Sequence, residues 1–253
     1  MQLLSSEFQY IALERVSSTM DSAAALVSKG MMGDYGALHA QHQENPRGRQ
    51  GRMWNSGLPG KGLAVTLIFK LSVPLNHVGE LAFVAAVGLH QALQPCLTQP
   101  LVLKWPNDLL INSRKVGGVL IEVTECNGCW ATIGIGLNML KVPNELQESA
   151  ECLGAHWKKD CQYDLDEEIL FAVVSNSILE CFKKWQAEGF RHVKDYWERH
   201  TLKSTEMLHF HAPSGEAVRG FMEGITDQGA LIIRGTSGEK QIFNAGDLIV
   251  TLK

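Results

Sequence analysis

Residues 116–139, which read VGGVLIEVTECNGCWATIGIGLNM, decide the fold class. Two apolar stretches, 116–124 and 130–139, flank the pair Asn127 and Gly128. An Asn-Gly pair between two strand-like stretches is a strong hairpin signal, because both residues tolerate the positive φ angles of a two-residue turn. We therefore predict an antiparallel hairpin at the centre of a sheet.

The segments around the hairpin predict further strands and a layer of helices. Short apolar stretches predict strands at 35–41, 63–70 and 101–105. Apolar residues recur at helical spacing in 20–29, 78–93, 165–189 and 190–199. The first helix follows Ser18 and Thr19, which are candidate N-caps. The predicted fold class of residues 1–203 is therefore α+β, with helices packed on a mixed sheet.

The last fifty residues have a different hydrophobic pattern from the rest of the chain. Brief alternating stretches are separated by turn signals such as Asp227-Gln228-Gly229, a spacing that is typical of a small antiparallel barrel. The predicted strands are 206–211, 217–225, 230–234, 241–244 and 248–252. We predict a domain boundary near residue 203, followed by a small SH3-like β-barrel over residues 204–253.

Composition and charge exclude several classes of protein. With 45% hydrophobic and 20% charged residues, the 253-residue chain has a globular composition rather than a disordered or fibrous one. The net charge of −4 gives no general basic surface for nucleic acid, so any site for a polyanion must be local. A secretion signal and an apolar stretch of about 18 residues are both missing, so we expect a cytoplasmic protein without a membrane partner. Six cysteines are too few for a disulfide scaffold.

The most unusual local composition is at residues 46–54, PRGRQGRMW, which contain three arginines, two glycines and no acidic residue. They lie in a longer Gly- and Pro-rich stretch, 43–62, that predicts a loop. Arginine forks bind phosphate or carboxylate, and glycine lets the backbone approach a ligand closely. We interpret this segment as a loop that closes over an anion. The alternatives are a solvated loop or a nonspecific nucleic-acid contact.

Two more segments place polar residues at strand ends. Residues 104–108, KWPND, end a predicted strand at a proline, which directs Asn107 and Asp108 into a turn where ligand groups often gather. Residues 114–122, RKVGGVLIE, put Lys115 at the start of a strand beside Gly118, where a ligand could lie against the backbone. Locally, the first segment could equally be a plain Asx turn, and the second is more typical of a hairpin turn with an exposed lysine.

Together, these three segments resemble the biotin protein ligase family in order, spacing and identity. The loop at 46–54 resembles that family's glycine-arginine lid, 104–108 its KWPND sequence, and Lys115 with Gly118 its K-x-x-G strand. Ser18-Thr19 is similar to the family's early biotin-binding pair, and residues 134–138, GIGLN, to a later glycine-rich strand. The resemblance is dense over residues 17–140 and looser beyond them.

The resemblance implies an activity. The chain would be an ATP-dependent ligase that converts biotin to biotinyl-5′-adenylate and transfers the biotin to a lysine of a biotin carboxyl carrier protein, with Mg²⁺ as the expected ion. Residues 1–203 would be its biotin- and ATP-binding catalytic domain. The reaction needs cations, because a carboxylate is a weak nucleophile and the α-phosphate that it attacks is negatively charged.

The same resemblance implies site residues. The implied catalytic residues are Lys115, Arg47 and Asp108, with Asp108 also a candidate metal contact. The implied biotin-binding residues are Ser18, Thr19, Met20, Gln43, Arg47, Gly48, Arg49, Lys115 and Gly118. The implied ATP- and adenylate-binding residues are Arg47, Arg49, Arg52, Trp54, Lys104, Asn107, Lys115 and Asn138. Two positions depart from the family pattern: Pro46 replaces the usual glycine and removes a backbone donor, and Met20 stands where asparagine is common.

Two other functions remain to be separated from this one. A lipoate or octanoate ligase of related fold would bind an apolar ligand and would not need the polar residues Ser18, Thr19 and Gln43. A nucleic-acid-binding regulator could use the arginine loop, but only 16 residues precede Ser17, so we expect a form without an N-terminal DNA-binding domain and no DNA partner. A homodimer stays open, because neither a heptad seam nor an edge strand can be identified in the sequence.

Overall fold

The structure, a computed structural model, describes residues 3–54, 61–202, 207–212, 215 and 217–249. The predicted domain boundary near residue 203 lies outside the described residues. So do residues 55–60 of the predicted loop and parts of the predicted strands 206–211 and 248–252.

The larger of two sheets is mixed and has seven strands. These are β1 (Gln9–Val16), β2 (Tyr35–Gln43), β3 (Gly62–Leu71), β4 (Val102–Lys104), β5 (Asp108–Ile111), β6 (Arg114–Glu125) and β7 (Cys129–Asn138). Their order is β1-β2-β3-β7-β6-β5-β4, and β1 with β2 is the parallel pair. The predicted central hairpin is confirmed as β6 and β7, and its turn places Asn127 at φ 47° and Gly128 at φ 126°. The predicted α+β class is confirmed as well.

Within the residues that the structure describes, four helices cover the two faces of this sheet: α1 (Thr19–Ser28), α2 (Leu81–Leu93), α3 (Glu167–Glu188) and α4 (Arg191–His200). Helix α1 packs with Leu38, Ile68 and Trp130, whereas α2 and α3 pack on the opposite face with the main core. Ser18 caps α1 as predicted, because its side chain accepts a hydrogen bond from the Met20 amide. No helix in the described part of the chain is long and apolar enough to cross a membrane.

The second sheet is antiparallel and lies in the C-terminal region. It contains β8 (Leu208–His211), β9 (Ala217–Ile225), β10 (Leu231–Gly235), β11 (Lys240–Phe243) and β12 (Asp247–Ile249), in the order β11-β10-β9-β8-β12. The indole Nε1 of Trp105 donates to the Gly229 carbonyl at 3.0 Å, and the Trp105 and Phe210 rings lie 5.9 Å apart. The two sheets therefore share one core, and β12 begins beside the loop that holds the lid arginines.

Candidate active site

One cavity is lined by most of the site residues that the sequence predicts. It lies between the N-terminus of α1, the loop at 46–54, and the inner strands β3, β6 and β7. Of the predicted site residues, it is lined by Ser18, Thr19, Met20, Gln43, Arg47, Gly48, Arg49, Arg52, Trp54, Asn107, Asp108, Lys115 and Gly118. Lys104 and Asn138 line an adjoining groove instead, which also contains Asp108 and Lys115.

The floor of the cavity is neutral and polar. Gln43 Oε1 accepts hydrogen bonds from the Thr19 amide at 2.7 Å and from the Thr19 hydroxyl at 3.0 Å. The hydroxyl of Thr66, a fully buried residue of β3, donates to the Thr19 hydroxyl oxygen at 2.8 Å. Ser18 is also buried at this end of α1. These contacts hold the floor in one arrangement before a ligand arrives, and Thr66 was not predicted from the sequence.

Trp54 fills part of the cavity. Its ring lies so close to the Gly136 backbone that a Cβ at that position would be 2.3 Å from Cε2, and a Cβ on Gly118 would be 3.4 Å from Cζ3. The buried indole Nε1 has no hydrogen-bond partner among the described residues. The remaining cavity volume is about 180 Å³, which is below the ~300–1,000 Å³ of typical ligand sites. Displacement of the indole would enlarge the cavity.

Lys115 and Asp108 form an ion pair at the boundary between the cavity and the groove. Lys115 Nζ lies 2.5 Å from Asp108 Oδ1, and Lys104 Nζ lies 3.6 Å from Asp108 Oδ2. The Lys115 ammonium also lies 5.2 Å from the centre of the Trp54 ring, a cation–π distance. The pairing of β5 with β6 places Asp108 opposite Gly118. Asp108 therefore fixes the position of the Lys115 ammonium.

Arg47 has two carboxylate partners. Its guanidinium donates to both Glu122 oxygens, at 2.7 and 3.1 Å, and to Asp21 Oδ1 at 2.6 Å. The hydrogen bond to Glu122 is the main reason why the pKa of Arg47 is raised above its usual value. Neither carboxylate was assigned a role from the sequence. In this arrangement, Arg47 lines the cavity, but its N–H groups donate to acidic residues of α1 and β6.

Arg49 and Arg52 both extend toward the start of β12 in the C-terminal sheet. Arg49 donates to Asn107 Oδ1 at 3.2 Å and to the Gly246 carbonyl at 3.3 Å. Arg52 forms an ion pair with Asp247. Asn107 is buried and also donates its side-chain amide to the Val119 carbonyl, so it connects the β4–β5 turn to β6. The lid loop is thus held by both sheets.

Asn138, a predicted site residue, and Pro46, a departure from the family pattern, both make hydrogen bonds within the protein. Asn138 is buried and donates to the carbonyls of Lys115 and Glu151 at 3.2 and 3.1 Å, which joins β7 to the segment that follows it. Pro46 lines the cavity, and its carbonyl accepts from the Trp54 amide at 2.9 Å, which closes the lid loop on itself. As expected, Pro46 can offer only its carbonyl.

The residues around Asp108 do not fit a resident metal ion. Magnesium is usually held by one or two carboxylates together with waters and phosphate oxygens. Here the two oxygens of Asp108 face two ammonium groups rather than further oxygen ligands. Among the described residues there is also no cluster of three or more His, Cys, Asp or Glu that could hold a metal.

Comparison with known proteins adds independent findings. Residues 12–139 match the model of the biotin/lipoate A/B protein ligase family, and residues 211–250 match that of the biotin protein ligase C-terminal domain. The biotin--[acetyl-CoA-carboxylase] ligase of Paracoccus denitrificans is 31% identical over 244 residues, covering 93% of this chain and 98% of that protein. The bifunctional ligase/repressor BirA of Bacillus subtilis is 30% identical over 81% of this chain, which spans 63% of that protein's length.

A solved structure is similar along nearly the whole chain. It is the biotin protein ligase of Aquifex aeolicus in complex with biotin and ATP, which is 26% identical and superimposes with a TM-score of 0.78. The match covers 95% of this chain and 97% of that one. The matched family model spans about half of the sequence, and the Paracoccus relative spans almost all of it. The chain therefore belongs to the biotin/lipoate A/B protein ligase family, as a biotin protein ligase member with the matching C-terminal domain.

Proposed function

We propose that this protein activates biotin with ATP to biotinyl-5′-adenylate and transfers the biotin to a specific lysine of a biotin carboxyl carrier protein. The observation that carries the proposal is a single cavity with a neutral polar floor and a cationic mouth. Thr19 and Gln43 form the floor, and Lys115 and Arg49 contribute charge at the mouth. A ligand with a polar, uncharged head and a carboxylate tail matches this arrangement end to end.

The polar floor would bind the ureido head of biotin. The Ser18 and Thr19 hydroxyls and the Gln43 amide can each donate and accept, as a ureido group requires. Met20 is buried and packs against Gly134, where it offers an apolar wall. If lipoate or octanoate were the ligand, these buried polar groups would have no ligand partner, which is unfavourable. The floor therefore favours biotin over an apolar acyl chain.

In the first step, a biotin carboxylate oxygen attacks the α-phosphorus of ATP. The bond from that phosphorus to the bridging oxygen breaks, and pyrophosphate leaves with the electron pair. The ammonium of Lys115, held by Asp108, would draw the two anions together and stabilise charge in the transition state. Arg47, Arg49 and Gly48 would close over the carboxylate and α-phosphate once Trp54 has moved.

In the second step, the amine of a carrier lysine attacks the carbonyl carbon of the adenylate. An amide forms, AMP leaves with the anhydride oxygen, and the amine loses a proton. The groove beside the cavity would admit the carrier lysine and part of the nucleotide, because Lys104, Asp108 and Asn138 line it. We propose Asp108 as the acceptor of the proton, since its carboxylate faces both the groove and Lys115.

Three further features belong to the proposal. Magnesium would arrive on the phosphate oxygens of ATP, because Asp108 does not fit as the centre of a protein-built metal site. The catalytic domain would comprise residues 1–203 and the C-terminal domain residues 204–253, and the reaction would take place in the cytoplasm. A homodimer stays a prediction.

One experiment tests the activity directly. The protein is incubated with biotin and α-labelled ATP, with and without a carrier domain. We expect labelled biotinyl-adenylate in both reactions and a biotinylated carrier band only in the second. Calorimetry with biotin against lipoate separates the two ligase types, and a gel shift at physiological salt tests the nucleic-acid alternative. Absence of adenylate with biotin, together with adenylate formation from lipoate, would overturn the proposal.

A further inference from the structure

Asp247 reaches the lid loop from the C-terminal sheet. It is the first residue of β12, and its carboxylate accepts from Arg52 Nη2 while its Oδ1 lies 3.9 Å from Arg49 Nη1. The preceding carbonyl, of Gly246, accepts from Arg49 Nη2 at 3.3 Å. Two of the three lid arginines therefore contact consecutive residues, Gly246 and Asp247, at the start of β12.

The carboxylate of Asp247 is presented from a well-packed backbone. A Cβ on Gly246 would be 2.3 Å from Cζ of Phe210, so the chain passes directly over this fully buried ring. Phe210 in turn packs against Phe243, with ring centres 4.3 Å apart. Asp247 pairs with His211 across β8 and β12. Its position is thus set by the core of the C-terminal sheet rather than by the lid itself.

The geometry also leaves room for a ligand anion. The Asp247 side chain lines both the cavity and the adjoining groove. A guanidinium has five N–H donors, so an arginine can keep a carboxylate on one edge and bind a phosphate on another. Arg49 is suited to this role, because its side chain is only 27% exposed at the cavity mouth.

We propose that Asp247 is a lid-positioning residue, which holds Arg49 and Arg52 at the cavity mouth and couples the lid to the C-terminal sheet. The inference rests on the proposed function for its consequence: with Asp247 intact, the closed lid retains the reactive adenylate until the carrier arrives. A mixed anhydride that escapes reacts with other amines or with water. Asp247 contacts neither the polar floor nor Lys115, so it acts through the arginines.

The first test measures the lid without any ligand. Hydrogen–deuterium exchange of residues 47–54 is compared among wild type, Asp247→Asn, and the control Asp227→Asn. Asp227 is also a carboxylate of the C-terminal region in an ion pair, with Lys194 at 2.9 Å, but it lies away from the lid. We expect exchange in the lid to be about three- to tenfold faster in Asp247→Asn and unchanged in Asp227→Asn. Asp247→Glu should restore protection.

A double-variant comparison shows whether Asp247 acts through its arginine partner. Arg52→Gln should also accelerate exchange, and Asp247→Asn should add less to it than it adds to the wild type. Thermal denaturation of each variant confirms that the fold is retained. Equal protection in wild type and Asp247→Asn, or fully additive effects of the two substitutions, would overturn the proposal, since the contact would then be an incidental surface pair.

The second test measures retention of the adenylate. Filter binding should show adenylate release about five- to tenfold faster in Asp247→Asn, with the Kd for biotin within twofold of wild type. A release rate equal to wild type would overturn the proposed consequence. If the wild-type protein makes no adenylate, the proposed function fails, whereas the exchange measurement still decides whether Asp247 positions the lid.

Discussion

Arg47 is a proposed ligand-binding residue whose donors already have partners within the protein. Its guanidinium pairs with Glu122 and Asp21, so a ligand carboxylate would compete with two acids of the protein. We predict that Glu122→Gln frees Arg47 for the ligand and tightens biotin binding about two- to fivefold, or about 0.4–1 kcal/mol, as expected for a partly exposed pair. Isothermal titration calorimetry measures the change.

Two comparisons control this prediction. Glu125→Gln removes an exposed charge from the end of the same strand and should leave affinity unchanged. In an Arg47→Ala background, Glu122→Gln should give no gain, because the arginine that benefits is missing. Weaker binding by the single variant would mean that Glu122 holds Arg47 in its binding position.

In the proposed mechanism, Lys115 is the cation on which the first chemical step depends most. Removing one charge-stabilising donor from such a site typically lowers a rate by about 10²- to 10³-fold. We therefore predict that Lys115→Ala slows adenylate formation at least about 10²-fold in a single-turnover assay with labelled ATP. Lys70→Ala is the control, because Lys70 also lies one residue from the terminus of a strand and pairs with a carboxylate, Asp34 at 3.4 Å. A rate within threefold of wild type would remove Lys115 from the mechanism.

At this scale, the sequence supplies the residue types of the site but not their partners. Lys115, Arg49 and Gln43 stand in recognisable motifs, and the structure brings all three to one cavity. The buried Thr66 is hidden within an apolar strand, and its contact with Thr19 depends on how α1 lies over β3. Asp247 is about 200 positions away from the arginines that it contacts. Such pairings follow from tertiary packing, which a local pattern does not contain.

Among the elements, long and strongly patterned segments are predictable and short edge segments are not. The β6–β7 hairpin and all four helices follow from periodicity and turn residues. Strand β1 was missed because it is a half-buried edge strand with charged residues, and its pairing with β2 is parallel. Strand β5 was also missed, because it has only four residues and directly follows a predicted turn.

A buried histidine on α2 makes the helix layer sensitive to acid. Burial, assisted by the nearby His200, lowers the pKa of His90 to about 4. Between pH 6.5 and 4 the unfolded chain binds a proton at this position and the folded chain does not, so stability present above pH 6.5 is lost as the pH falls. We predict that His90 alone accounts for a loss of roughly 3 kcal/mol in the free energy of unfolding over this window.

His90→Gln tests this prediction. Glutamine can still donate to the Leu101 carbonyl, which His90 Nε2 contacts at 2.9 Å, but it does not titrate. Urea unfolding at a series of pH values should give a flatter profile for His90→Gln below pH 6.5. The control is His211→Gln, which alters an exposed histidine of β8. Identical profiles for wild type and His90→Gln would assign the acid sensitivity to other groups.

On the scale of the whole molecule, the two sheets pack together around Trp105. This tryptophan belongs to the KWPND segment, yet its side chain is buried and its indole donates to Gly229 of the C-terminal region. Its neighbours Asn107 and Asp108 face the cavity. One short motif thus fixes the C-terminal sheet with its tryptophan and supplies the site with its polar residues. The sequence pattern indicated the second role alone.

The contact at Gly229 should therefore govern both stability and ligation. Gly229 has a φ of 81°, and a Cβ there would be 2.6 Å from Cε2 of Phe83, a buried ring that packs against Trp197. Gly229→Ala would add left-handed strain of about 1–2 kcal/mol and a clash of about 1–3 kcal/mol. We predict a lower melting temperature by several degrees and slower biotin transfer to the carrier.

Gly238→Ala separates the clash from the strain, because Gly238 has a similar φ of 92° in another turn between strands of the C-terminal sheet but no atom within 4 Å of its would-be Cβ. It should show the strain alone, with a smaller loss in melting temperature and normal transfer. The difference in melting temperature between the two variants then measures how much the close packing of Gly229 against Phe83 of α2 contributes to stability. Because Asp247 extends from that sheet to the lid, Gly229→Ala should also speed adenylate release. Equal effects of the two substitutions on stability and on release would show that the Phe83 contact does not hold the sheet in place.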